Sequence, residues 1–148
     1  TKGTFKKDYI KTLGAQFSKY EESIGNDQIN LFFWDIAGQD SWNFMHETFY
    51  RGSKAAIIVF SHTDDESFKH IDNWHDELKG ICGDIPVVLF GNKLDLVNED
   101  ELDDGKVESV VEERGFLDYI KTSAKTGTGV YKGFQQSINN LYYNYKRK

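Results

Sequence analysis

The chain carries a single cysteine, Cys82, in 148 residues. An internal disulfide is excluded, and a reducing, cytosolic setting is the expectation. No apolar run approaches the roughly 20 residues of a membrane span, and no signal peptide is visible. The closing residues Tyr145-Lys146-Arg147-Lys148 hold no cysteine, so they show no prenylation site and no lipid anchor. Basic residues are in the minority: 18 Lys and Arg face 24 Asp and Glu, a formal charge of −6. Nucleic acid is therefore not expected as a partner, because phosphate backbones are bound by clustered Lys and Arg. His46, His62, His70 and His75 do not fall at i, i+4 on one helix face, which argues against a metal site. The acidic run Asn98–Asp104 does not fit a calcium loop either. Counted from Asp100, Leu102 takes a ligand position and Val111 the place of the required glutamate. That run reads as a solvated loop and a helix start. Cys82 has no adjacent base and reads as inert.

What is present suits one globular domain spanning 1–148. Apolar residues make up 39% and aromatics 15%, with no internal repeat, linker or low-complexity tract. Ala15–Tyr20 and Gln28–Trp34 flank Gly25-Asn26-Asp27, which is turn chemistry and predicts a hairpin. Three apolar runs follow: Ala55–Phe60, Pro86–Phe90 and the shorter Tyr119–Thr122. Phe68, Ile71, Trp74 and Leu78 keep helical spacing after the acidic start Asp64-Asp65-Glu66. Val107, Val110 and Val111 mark a second helix, stopped by Gly115, and Val130, Phe134, Ile138 and Leu141 a third. Continuous apolar strands alternating with helices predict an α/β fold: a mostly parallel sheet covered on both faces, with one antiparallel edge strand.

Polar motifs stand at the ends of three of these strands. Asp35 ends one, and an acidic residue there can hold Mg²⁺ directly or through water. Gly38 allows close backbone approach to a phosphate, and Gln39 can orient a water for in-line attack. A strand-ending turn that happens to hold Asp and Gln would read the same way. Asn92-Lys93-Leu94-Asp95 follows the second apolar run. In open α/β sheets ligands sit at the carboxyl ends of strands. A carboxylate there can accept two N–H bonds from guanine, whose edge offers a ring N–H and an amine; adenine lacks that edge. Thr122-Ser123-Ala124-Lys125 follows the last run, where backbone N–H groups could meet a base carbonyl and Lys125 could pack over the ring. Each motif alone is also an ordinary polar turn.

The combination, in this order and at these intervals, resembles the Ras superfamily of small GTPases and its Rab branch in particular. Trp34–Asp40 is similar to WDTAGQE, Gly91–Leu96 to GNKxDL and Thr122–Val130 to TSAKTGxxV. Phe49–Phe60 is similar to the stretch leading into the fourth strand of Rab proteins, and Thr4–Phe17 to switch I running into the second. The resemblance implies a P-loop NTPase-like G domain, a GTP/GDP molecular switch that hydrolyses GTP, with Mg²⁺ as cofactor and membrane trafficking as its setting. It implies Thr12 and Asp35 as Mg²⁺ ligands, Thr12 also sensing the γ-phosphate. It implies Gly38 at the γ-phosphate and Gln39 positioning the attacking water. Asn92 and Asp95 would read guanine, flanked by Lys93, with Ser123, Ala124 and Lys125 as the last base-binding loop. Phe17, Trp34 and Phe49 match the aromatic triad shown to effectors, with Phe49 replacing the usual tyrosine. Ile36 replaces the family threonine. No arginine matches a position acting in cis, so a regulatory protein would accelerate hydrolysis. The implied location is cytoplasmic, reaching membranes through partners.

One family element does not appear: no G-x-x-x-x-G-K-[ST] occurs in the 148 residues. That loop supplies the amide cradle for phosphates, a Lys and a Mg²⁺-binding hydroxyl. The resemblance places it before the position matching Phe5 and makes the G domain N-terminally incomplete. It also implies a missing first strand between the family's third and fourth, leaving two apolar edges unpaired. Two alternatives to the switch stand beside it: a non-catalytic interaction module on a G-domain scaffold, and one part of a two-chain GTPase.

Overall fold

The computed structural model describes residues 4–10, 15–36 and 50–146, and among them the side chains of 21–30, 32, 50–144 and 146. They form two compact units that divide between Arg51 and Gly52.

The first unit is an antiparallel sheet of β1 (Thr4–Ile10), β2 (Ala15–Ile24) and β3 (Asp27–Ile36), in that order. The expected hairpin is present and longer than its apolar cores. Its register runs from Ala15 opposite Ile36 to Ile24 opposite Asp27. Gly25 and Asn26 make the two-residue turn, and Gly25 takes φ +60°, which a hairpin turn of this length favours. The sequence reading placed Thr4–Ile10 in switch I and foresaw no strand there. In the structure this segment adds a third strand along β2, Thr4 opposite Glu21 and Ile10 opposite Ala15. Thr, Phe, Tyr and Ile suit a pleated strand, and β2 offers an open edge of backbone donors and acceptors.

The second unit is a parallel sheet ordered β4 (Ala56–Ser61), β5 (Val87–Asn92), β6 (Asp118–Lys121). The three apolar runs of the sequence become its strands. β5 is central, and Val87, Val88, Leu89 and Phe90 are all buried. Alternation sends Val88, Phe90 and Ile120 into one cluster, which Ile57 and Val130 complete. Among the described residues β4 is an edge strand, and its Val59 is 45% exposed.

The helices are α1 (Asp65–Lys69), α2 (Ile71–Cys82), α3 (Asp104–Arg114) and α4 (Val130–Lys146). Asp64 caps α1 by accepting from the amide of Glu66 at 3.1 Å. The helix expected through Phe68, Ile71, Trp74 and Leu78 is broken at His70: Phe68 belongs to α1 and the other three to α2. The His70 ring lies 2.7 Å from the Glu66 carbonyl and stacks on Trp74, which fills the junction. α3 ends at Gly115, where the amide of Phe116 returns to the Val111 carbonyl at 3.0 Å. The run Asn98–Asp104 is a solvated loop and helix start as expected, with a 3-10 turn at Glu99–Glu101 and Asp103 capping α3. On α4, Tyr142 is partly buried and Tyr143 exposed, while the Tyr145 side chain lies outside the described residues. No described helix is long and apolar enough to cross a membrane.

Candidate functional site

The sequence-predicted residues Asn92, Lys93, Asp95, Ser123, Ala124 and Lys125 come together at the carboxyl ends of β5 and β6. Parallel pairing produces this: Phe90 lies opposite Ile120 and Gly91 opposite Lys121, so the two following turns leave the sheet side by side. The turns are then tied to each other. The Thr122 amide donates to Gly91 O at 2.8 Å, and the Leu94 amide donates to Thr122 O at 3.0 Å.

Side chains add the finer constraints. Asn92 Oδ1 accepts from the Ala124 amide at 3.0 Å and from the Thr122 hydroxyl at 3.3 Å. Ser123 is buried; its hydroxyl donates to Asp95 Oδ1 at 2.8 Å and accepts from the Thr126 amide at 3.1 Å. Asp95 sits on the one-turn helix Leu94–Leu96 and is exposed. Its second oxygen has no partner among the described residues, so one edge of the carboxylate faces outward. Lys93 takes φ +65°, the one non-glycine residue with positive φ among those described. Such strain of roughly 1–3 kcal/mol is kept where surrounding contacts over-determine it, often at functional sites.

Asn92, Lys93, Asp95, Ala124 and Lys125 line an open pocket of about 330 Å³ with Leu96, an exposed aliphatic side chain. Its lining combines Leu96, the two lysines, the carboxylate of Asp95 and the Asn92–Ala124 pair. A second, larger recess of about 510 Å³ borders the amino ends of β5 and β6, and none of the residues of the turns after these strands lines it.

The other expected site residues divide in two. Thr12, Gly38, Gln39 and Phe49 lie outside the described residues. Phe17, Trp34 and Asp35 are placed by backbone only: Phe17 and Trp34 are direct cross-strand partners, and Asp35 stands opposite Gln16 near the end of β3. Among the described residues no group of His, Cys, Asp or Glu is arranged to hold a metal ion. Cys82 is partly buried, and burial pushes its thiol pKa up, in keeping with an inert thiol.

Sequence reasoning missed two polar clusters. Beside the pocket, Lys121 Nζ lies 2.6 Å from Asp104 Oδ2 and 3.3 Å from Glu99 Oε1. Tyr119 donates to Asp104 Oδ1 at 3.3 Å, and burial followed by Asp104 raises its hydroxyl pKa. His62 packs edge-on against Phe60, and burial lowers its pKa. At the larger recess, Arg114 pairs with Asp72 at 3.0 Å and Asp76 at 2.6 Å. The same guanidinium donates to Nδ1 of buried His75 at 3.3 Å, and His75 meets Phe116 edge-on at 4.8 Å. A lysine closing a buried strand, close in sequence to an acidic run, was the available signal for the first cluster. Nothing local links His75 to Arg114.

The comparisons with known proteins agree with the motifs. The model of the Ras family matches residues 1–143. Ras-related protein Rab-4 of Dictyostelium discoideum is 34% identical over 131 residues, covering 88% of this chain and 63% of that protein. Ras-related protein Rab-21 of Homo sapiens is 37% identical over 127 residues, covering 85% of this chain and 56% of that protein. Ras-related protein Rab-7a of Paramecium octaurelia is 32% identical over 136 residues, covering 88% and 66%. The chain thus spans less than two-thirds of the length of these relatives.

Proposed function

Since this chain belongs to the Ras family and is similar to Rab proteins along most of its length, we propose that it is the larger part of a single G domain, 1–148, that binds GTP and GDP and works as a molecular switch. The observation that carries the reading is the outward carboxylate edge of Asp95, fixed by Ser123 and set in a pocket with Asn92, Lys93, Ala124 and Lys125. Guanine presents two donors to one carboxylate there. Hydrogen bonds to a charged group contribute about 1.5–3 kcal/mol each, so this pair supplies most of the base selectivity. Asn92 holds the Ala124 amide in place, which keeps the last loop beside the ring.

The family match supports the remaining roles without showing them. Thr12 and Asp35 would hold Mg²⁺ at the phosphates, and the ion would supply charge neutralisation there. Gly38 contacts the γ-phosphate and Gln39 orients the attacking water for hydrolysis. Phe17, Trp34 and Phe49 present the switches to effector and regulatory proteins. The direct pairing of Phe17 with Trp34 supports two members of that triad acting together. The setting is the cytoplasm, with membranes reached through partners in trafficking.

The alternative reading is an interaction module on the same scaffold, without catalysis. Titration of the chain with GDP and with ADP, followed by NMR of the amides of Asp95 and Ala124, decides between them. Shifts at both amides with GDP and none with ADP are the expected result. No shift with GDP overturns the switch reading in favour of the module, and equal shifts with ADP overturn the guanine assignment.

A further inference from the structure

A cation that does not line the pocket at Asp95 pairs with the segment that follows it. The segment 98–104 follows the Asp95 turn and leads into α3. Its own hydrogen bonds are local: Asn98 caps the 3-10 turn and Asp103 caps the helix. Among the described residues, its side-chain hydrogen bonds to the sheet are those of Glu99 and Asp104 with Lys121, and of Asp104 with Tyr119. The Lys121 side chain is 24% exposed and that of Asp104 34%, so this pair is partly desolvated. Such a pair is held more firmly than an ion pair in open water.

The main chain of Lys121 ends β6 and leads into the turn at Thr122. The next residue, Thr122, accepts from the Leu94 amide and hydrogen-bonds Asn92, and Ser123 then holds Asp95. We propose that Lys121 is a positioning residue for the base-reading turns: its side chain fixes the segment after Asp95 while its backbone delivers Thr122 and Ser123 to the segment before it. The proposal rests on the guanine reading for its functional meaning, and on the geometry alone for the positioning. Without the ammonium group, Glu99 and Asp104 are left as neighbouring like charges. The chain beyond Asp95 then moves away from β6, and the outward carboxylate loses its fixed direction. Burial lowers the pKa of nearby His62, which disfavours a second cation there.

The test compares Lys121→Met and Lys121→Arg with the unaltered chain by amide hydrogen exchange, without nucleotide. In K121M the amides of Leu94 and Ala124 should exchange about tenfold faster, those of Val88 and Leu89 in β5 should not change, and K121R should restore protection. Unchanged exchange at Leu94 and Ala124 overturns the proposal, as does an equal rise throughout β5, which would mark a general loss of stability. A GDP titration of the three proteins, read at the Ala124 amide, forms the second arm. K121M should weaken binding about tenfold and K121R should recover it. If the unaltered chain shows no shift with GDP, the guanine reading fails, and the exchange data still decide whether Lys121 positions the turns.

Discussion

Ser123 donates its hydroxyl to Asp95 at 2.8 Å, across 28 residues of sequence, and so joins the two turns that end β5 and β6. The same oxygen accepts from the Thr126 amide, so one buried hydroxyl both aims the carboxylate and closes its own loop. Ser123→Ala removes both bonds. It should cost about 1–2 kcal/mol of stability and lower affinity for guanine nucleotide about tenfold, because Asp95 becomes free to rotate. Urea unfolding and calorimetric GDP titration measure the two effects. Loss of stability with unaltered affinity would show that Asp95 needs no aiming.

Asp95→Asn tests the base assignment itself. The amide keeps the shape of the side chain and one acceptor, and puts a donor where guanine also donates. Affinity for guanine nucleotides should fall by about 3 kcal/mol, and xanthine nucleotides, which carry a carbonyl in place of the amine, should gain. Competition between GDP and its xanthine analogue reads the exchange of preference. A variant that keeps its guanine preference places the base elsewhere.

Lys93 pays for its position with a left-handed backbone at φ +65°. Glycine adopts that conformation without a Cβ clash worth roughly 1–2 kcal/mol, although it loses more chain entropy on folding. Lys93→Gly should therefore leave the protein equally stable or more stable, by about half a kcal/mol, and should bind nucleotide more weakly because the side chain flanking the base is gone. Thermal unfolding and GDP titration together separate the two. A destabilised variant would mean that the lysine side chain itself supports the turn.

The parts of this molecule that were legible in the sequence are those set by local pattern. Val87–Phe90 is apolar without interruption because both faces of β5 are covered, and the burial of all four residues follows. The polar turns after β5 and β6 were legible as a candidate site because strand ends in an open α/β sheet gather ligands, and the structure brings Asn92 to within 3.0 Å of the Ala124 amide. What escaped the reading was long-range. β1 depends on an available edge of β2, which Thr4–Ile10 does not announce. The break at His70 keeps the apolar spacing intact on both sides, so periodicity alone passes over it. Lys121 and Asp104 are 17 residues apart, and only the fold makes them partners.

Gln39→Leu tests the proposed hydrolytic step, in a polypeptide that also carries a phosphate-binding loop. Leucine keeps the bulk but neither donates nor accepts a hydrogen bond, so the attacking water loses its orientation. Losing one preorganised catalytic group costs about 2–4 kcal/mol in the barrier. Single-turnover hydrolysis should slow accordingly while GTP affinity stays close to that of the unaltered protein. An unchanged rate, with and without an activating protein, would leave Gln39 as a turn residue only.

The last prediction concerns acid and the second cluster. His75 accepts from Arg114 through Nδ1, which requires a neutral ring. Burial first, and then the Arg114 guanidinium and Lys79, lower its pKa from 6.5, while Asp76 and Asp84 oppose them weakly. A depressed histidine binds its proton more readily in the unfolded chain than in the folded one. Stability therefore rises with pH between the folded value and 6.5: the contribution is fully present above pH 6.5 and is lost as pH falls below it. His62, also lowered chiefly by burial, acts in the same direction. Urea unfolding at pH 7.5 and pH 5 should thus show a weaker protein at the lower pH. His75→Gln can still accept from Arg114 but cannot titrate. It should shrink the difference between the two pH values, and adding His62→Gln should shrink it further. Asp76, whose pKa the Arg114 hydrogen bond lowers from 3.8, does not titrate in this window. An unaltered pH dependence in H75Q would mean that the ring keeps its proton balance on unfolding, and the Arg114–His75 contact would then play no part in acid sensitivity.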